Sequence, residues 1–239
     1  GEFPAAPDLE RFWNNLREGR DCISRVPADR GFATMLNRRR SRSGKAIADA
    51  GGFIDNIDQF DASLFRMSQI EADKADPQLR VLLRNAWRAV EDAAYTPETL
   101  ARQRVGVFVG AMNEDFTWIA SELQARSQEY LGPGSVSSEL SNRISFLMNL
   151  HGPSLTLSTA CSASLTAVHL ARRAILAGDC DAALVGGINL SLHHSKYHLL
   201  HDMKVLSPDG QERTFDDSAN GLVPSEGAGV VVLKRFSRA

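Results

Sequence analysis

The sequence predicts an α/β fold, and three observations carry that prediction. Short apolar runs at Val105–Val109, Leu155–Leu157, Ala182–Val185 and Gly229–Leu233 alternate with helical patterns, as in layered sheets and helices. These runs are too continuously apolar for strands with one wet face, so their sheet is expected to be covered on both sides. Val230, Val231 and Val232 place three β-branched residues in succession, which favours a strand over a helix.

Taken in order, residues 8–18 form a short amphipathic helix candidate, with Leu9, Phe12, Trp13 and Leu16 at helical spacing. Residues 31–57 carry many glycines and charges with little periodicity and read mainly as loop. A firmer helix opens at Asp76-Pro77. Aspartate accepts bonds from first-turn amides, and proline loses nothing at the first helical position. Leu79, Leu83, Ala86, Val90 and Ala93 then line one face, with Trp87 beside it read as core. Helices are expected over Ser137–Leu147 and Ser162–Ala177. In the latter, apolar residues point several ways among small alanines, so its first two turns are expected to be buried all round. Arg172 and Arg173 reach the surface near the end that favours positive charge, and Gly178 supplies the stop.

The bulk numbers set limits. A chain of 239 residues can bury a substantial core as one large domain or two small ones, and it contains no internal repeat or low-complexity segment. A formal net charge of -2 gives no electrostatic reason to expect nucleic acid. The one basic run, Arg38-Arg39-Arg40-Ser41-Arg42, reads as a solvated loop, with a partner patch or an anionic ligand as alternatives. Three cysteines have neither the number nor the spacing of a disulfide framework, which fits a reduced, cytoplasmic setting. No stretch has the length of a membrane span or the pattern of a signal peptide. The start GEFPAAPD, without an initiator methionine, is that expected of a processed or excised piece.

Cys161, in the segment STACSAS, is the residue with chemical promise. It stands where a strand ends and a helix begins, among unpaired amides and the positive end of a helix dipole. That environment stabilises a thiolate, the nucleophilic form. The Cys161 N–H could also face an oxyanion formed on an attacked thioester carbonyl. Thr159, Ala160, Ser162 and Ala163 are small enough for a tight turn and a nearby acyl group. Buried cysteines at such junctions are common too, so the residues alone leave an inert and a nucleophilic reading open. Cys22 and Cys180 read as packing residues.

No histidine is placed by spacing to serve Cys161 as a base. His151 precedes Gly152-Pro153 in a loop, and His169 lies two turns along the helix, reading as a core or interface residue. His194, His198 and His201 could share a helical face next to His193. No cysteine or acidic ligand pattern accompanies them, so no metal site is expected.

The same residues carry a resemblance. GPSLTLSTACSASLTAVHLA is similar to the active-cysteine segment of β-ketoacyl synthase domains of modular polyketide synthases. Ordered matches run through nearly the whole chain: FPAAPDLERFWNNLREGRDCISRVPADR, ADPQLRVLLRNAWRAVEDA, RVGVFVG, SNRISFLMNLHGPS, GDCDAALVGGINL, KVLSPDGQERTFDDSANGLVPSEGAG and VVVLKRFSRA. The resemblance implies residues 1–239 to be the N-terminal portion of such a domain, the N-terminal α/β/α half of a thiolase-like fold with a mixed β-sheet, its opening edge strand missing. It implies that Cys161 accepts an acyl group from a carrier-protein phosphopantetheine thioester. Decarboxylation of a malonyl-type carrier thioester then gives a carbanion that attacks the Cys161 thioester. An acyl carrier protein and a homodimeric state are the implied partners, with no metal or directly bound cofactor.

The chain departs from the family pattern at Ser158, where aspartate is usual, at Ala163, between two retained serines, and at Asn220 and Ser225. These departures resemble the style of synthases served by free-standing acyltransferases. The family's two catalytic histidines belong to its C-terminal half, and none of the six here matches them, so residues 1–239 alone are expected neither to condense nor to decarboxylate. The rival readings are a ketosynthase that transfers acyl groups without elongating, and a noncatalytic thiolase-like scaffold or partner fragment. The retained cysteine argues against the scaffold.

Overall fold

The computed structural model describes residues 1–38, 47–127 and 136–238. Most of the basic run at 38–42 therefore lies outside the described residues. The elements follow in the order α1 (Leu9–Glu18), β1 (Ser24–Arg25), α2 (Ala33–Arg38), β2 (Ala50–Gly51), α3 (Gln69–Lys74), α4 (Pro77–Asp92), α5 (Pro97–Leu100) and β3 (Val105–Ala111). Then come α6 (Asp115–Ser127), α7 (Glu139–Leu147), β4 (Ser154–Leu157), α8 (Ala163–Ala177), β5 (Ala182–Asn189), α9 (Ser195–Asp202) and β6 (Gly227–Lys234). They divide into two compact units: Asn56–Asn189 with the stretch from Ala228, and Glu2–Asp55 with Leu190–Gly227.

The first unit holds the expected α/β sheet, four strands in the order β4-β3-β5-β6. β3 runs parallel to both β4 and β5, in a sheet that is mixed overall. Every residue of β3 is buried, as the sequence predicts for a strand covered on both faces. The two outer strands differ: Leu155 of β4 and Val231 of β6 are about half exposed. The continuous apolar pattern therefore describes the centre of the sheet and overstates the cover at its edges. β6 lies at one edge of this sheet.

One face of the sheet packs on α8. Phe108 of β3 and Ala183 and Val185 of β5 meet Ala167, Ala171, Ala174 and Ile175, with Cys180 in the same cluster. The other face receives α4, whose Leu82 methyl lies 3.0 Å from where a side chain on Gly186 would begin. Leu79, Leu83, Ala86 and Val90 of the predicted stripe are buried. The Asp76 carboxylate caps α4 by accepting the Gln78 N–H at 2.7 Å. Trp87 is half-buried, edge-on to Phe65, and its Nε1–H donates to Glu91 at 2.8 Å.

Two expectations for helices need correction. α8 spans nearly the predicted range and ends at Gly178 in the left-handed region, with φ 85°. Its first two turns are not buried all round: Ser162, Ser164 and Leu165 are exposed, Leu165 at 74%. The small residues Ala163, Ala167, Ala171 and Ala174 form the packed face together with Ile175, while Leu165 and Leu176 are exposed. His169 is likewise exposed, not part of the core. The 13-residue α6 has no counterpart in the sequence reading, because its apolar residues form no coherent face.

In the second unit, the stretch read as loop supplies much of the core. Phe32, Leu36, Ile47 and Phe53 cluster with Val26, Tyr197 and Leu206. α2 and the antiparallel pair β1–β2 lie within or next to it. Such short elements leave no periodicity to read, since their apolar residues converge through contacts distant in sequence. The α1 helix is capped by Asp8, which accepts from the Arg11 N–H at 2.7 Å. Its Leu9, Trp13 and Leu16 face outward, while Phe12 stacks on Phe3 and the buried Asn15 donates to the Ala5 carbonyl at 3.0 Å.

Candidate active site

Cys161 is exposed and stands between the end of β4 and the start of α8. The turn that presents it is strained. Ala160 has φ 54°, in the left-handed region that a side chain disfavours. The Ala163 N–H donates back to the Ala160 carbonyl at 3.0 Å, so the helix begins within three residues of that turn. The Ser162 hydroxyl donates to the Thr159 carbonyl at 2.8 Å, and the Thr159 hydroxyl donates to the Thr166 hydroxyl at 3.0 Å. Side chains on both sides of Cys161 thus bind the turn to the first turns of α8.

The strand leading into the turn is held from the α7 side. The Ser141 N–H donates to the Thr156 hydroxyl at 3.2 Å, which in turn donates to the Ser141 hydroxyl at 2.9 Å. Nearby, the Gln78 amide donates to the Asn113 carbonyl at 2.9 Å, and the Asn113 amide donates to the Asn189 side chain at 2.5 Å. Asp76, Gln78, Asn113, Thr156 and Ser158 border a polar cavity of about 50 Å³. Burial pushes the Asp76 carboxyl up to about 6, against the Gln78 amide that favours its charged form. Ser158, in the place of the usual aspartate, therefore adds no further carboxylate to this wall.

The other predicted residues occupy distinct settings. Cys180 is buried, and burial raises its thiol pKa, which suits a packing role. Cys22 is half-buried, with its thiol 3.5 Å from the Arg20 carbonyl. In the unit that carries Cys161, His151 sits in an exposed loop and His169 on the outward side of α8. In the second unit, His193 and His194 have ring centroids 4.1 Å apart, and His194 meets His198 edge-on at 5.4 Å. Asn220 donates to Asp209 at 3.0 Å and accepts from the Ser207 hydroxyl at 2.9 Å. An aspartate there would face Asp209 with no donor to offer. Asp209 itself is held well below the usual carboxylate range, chiefly by Arg213.

Sequence reasoning missed the strained Ala160, the Thr159–Ser162–Thr166 hydrogen bonds and the Asn113–Asn189 contact. A cluster of Ser and Thr around a cysteine signals available hydroxyls, but its partners depend on the turn.

The parallel inner strands of a mixed sheet, the helices on both its faces and a cysteine at a strand–helix junction belong to a thiolase-like α/β fold. The profile described as Beta-ketoacyl synthase, N-terminal domain matches residues 1–239, and the chain belongs to that family. Polyketide synthase PksL of Bacillus subtilis is 46% identical over 247 residues, spanning the whole chain and 5% of that protein. Polyketide synthase ThaG of Burkholderia thailandensis is 42% identical over 240 residues, spanning the whole chain and 4% of that protein. Among solved structures, the oxazolomycin ketosynthase domain OzmH KS7 of Streptomyces albus matches with a TM-score of 0.92 and 43% identity, over all of this chain and 41% of that one. A ketosynthase from module 6 of the Bacillus subtilis bacillaene synthase matches with a TM-score of 0.87 and 34% identity, over all of this chain and 39% of that one. The chain thus spans about a twentieth of these curated relatives and about two fifths of the solved domains. Among the described residues, no helix is long and apolar enough to cross a membrane.

Proposed function

We propose that Cys161 is the acyl-accepting nucleophile of a ketosynthase that extends polyketide chains. The observation that carries this reading is the exposed thiol on a strained turn between β4 and α8. The Cys161 thiolate attacks the carbonyl of an acyl thioester carried on the phosphopantetheine of a carrier protein. A tetrahedral oxyanion forms, with the Cys161 N–H as one donor. Its collapse expels the carrier thiolate, which takes up a proton, and leaves the acyl group on Sγ. A malonyl-type carrier thioester then loses carbon dioxide. The resulting carbanion attacks the acyl thioester, displaces the Cys161 thiolate and yields a carrier-bound β-ketoacyl chain two backbone carbons longer.

The parent domain works with an acyl carrier protein and as a homodimer, in the cytoplasm. The resemblance assigns the histidines for decarboxylation and condensation to residues outside this sequence, so the 239-residue chain is expected to load acyl groups without extending them. Intact-protein mass after incubation with an acyl-pantetheine thioester tests the first step: one acyl adduct is expected, and none on Cys161→Ala. An equal adduct on Cys161→Ala overturns the nucleophile. Carbon dioxide release from radiolabelled malonyl-carrier by this chain alone would overturn the division of labour.

A further inference from the structure

Gly110 of β3 and Gly187 of β5 are neighbours in the parallel register of the central strand pair. They lie on the face of the sheet that carries α8, and the gap left by their missing side chains is filled by its first turn. A methyl group on Gly110 would sit 2.5 Å from both the Ala163 carbonyl carbon and the Ser164 nitrogen. One on Gly187 would sit 2.8 Å from the Ser164 Cβ. Neither glycine is among the residues with positive φ, so the strands need an absence of volume here and not backbone freedom. Two positions earlier on the same strands, Phe108 and Val185 supply bulk and pack against alanines further along α8. The helix therefore comes closest to the sheet at the end that carries Cys161.

We propose that Gly110 and Gly187 form a seat that sets the position and direction of the Cys161 thiol. They are positioning residues: they touch Ala163 and Ser164, two and three residues beyond the nucleophile, and not the reacting atoms. The proposal rests on the reading of Cys161 as the acyl acceptor. Side chains on the glycines would lift the first turn of α8 away from the sheet, and the Thr159–Ser162–Thr166 bonds would carry the displacement into the strained turn. A misplacement of about 1 Å can cost on the order of 100-fold in rate.

The test uses the 239-residue chain and two readouts. One is the rate of Cys161 alkylation by iodoacetamide, resolved from Cys22 and Cys180 by peptide mass. The other is acyl loading from an acyl-pantetheine thioester. Gly187→Ala is expected to slow loading by about tenfold or more and to change the rate of Cys161 alkylation, as the displaced turn re-aims the thiol. Ser164→Gly removes the atom that the new methyl would strike, so Gly187→Ala with Ser164→Gly is expected to recover both readouts. Gly152→Ala is the steric control, since its methyl would press on the backbone at Val105 and Gly106, at the opposite end of β3. It is expected to leave the alkylation rate unchanged.

A folded Gly187→Ala variant with wild-type alkylation and loading overturns the seat. If Gly187→Ala does not fold, the double variant decides. Wild-type readouts in a folded double variant support the seat, and displaced readouts overturn it. Failure of the wild type to load, with an alkylation rate that still changes in Gly187→Ala and recovers in the double variant, would retain the seat while overturning the acyl-acceptor reading.

Discussion

At the scale of single residues, Ala160 and Arg30 each carry a cost that their surroundings offset. Ala160 holds a left-handed backbone beside the candidate nucleophile. Glycine relieves that conformation but loses more entropy on folding. Ala160→Gly is expected to change stability by no more than about 1 kcal/mol, in the stabilising direction, as measured by urea denaturation. A larger loss would contradict the left-handed turn. In the second unit, Arg30 and Glu226 form an ion pair at 2.8 Å with both side chains almost wholly out of solvent. Glu226 also accepts N–H bonds from Ile54 at 2.7 Å and Ser191 at 2.8 Å. Arg30→Met leaves that carboxylate buried without its cation and is expected to cost about 3–5 kcal/mol. Burial already raises the Glu226 pKa, and the loss of Arg30 raises it further. The penalty should therefore shrink as pH falls and Glu226 takes up a proton; denaturation of the variant at pH 5 and pH 8 checks this.

At the scale of elements, α4 shows a cap whose charge works against burial. Asp76 is raised to about 6 in the folded state, from an ordinary value of 3.8. The folded chain therefore binds the proton more tightly than the unfolded chain between those values. The associated stability is fully present below about pH 4 and is lost as pH rises to about 6. Asp76→Asn retains an amide oxygen for the cap and removes the charge. It should stabilise the chain by about 1–3 kcal/mol above pH 7, have little effect below pH 4, and remove the intervening slope from a plot of melting temperature against pH. The packed side of α8 gives a complementary prediction. Ala171 is fully buried against the sheet, so Ala171→Leu should cost about 1–3 kcal/mol through overpacking, measured by the same denaturation.

At the scale of the whole molecule, the sheet unit exposes much apolar surface. Phe146 and Leu165 are about three-quarters exposed, and Val231 is half-exposed on the edge strand β6. Open strand edges and apolar surface of this kind favour association. The chain is expected to self-associate with rising concentration, and Val231→Lys to increase the monomer fraction in size-exclusion chromatography with light scattering. A monomer at all concentrations would contradict this.

The sequence by itself determined the α/β class, the inner strands, the capped start of α4, the extent of α8 and the placement of Cys161. Each depends on short-range signals: apolar runs, a proline after a capping aspartate, a glycine stop, and a cysteine between two patterned segments. The ordered motifs also carried the family, because they run through nearly the whole chain. Tertiary structure alone decided which side of α8 is covered, how residues 31–57 contribute to a core, and which hydroxyls bind the Cys161 turn. It alone brought Gly110 beside Gly187 under the first turn of that helix. These features arise from atoms tens of residues apart meeting across strands and turns. Local periodicity encodes which residues are apolar and which are small, while their partners are set only when the chain closes on itself.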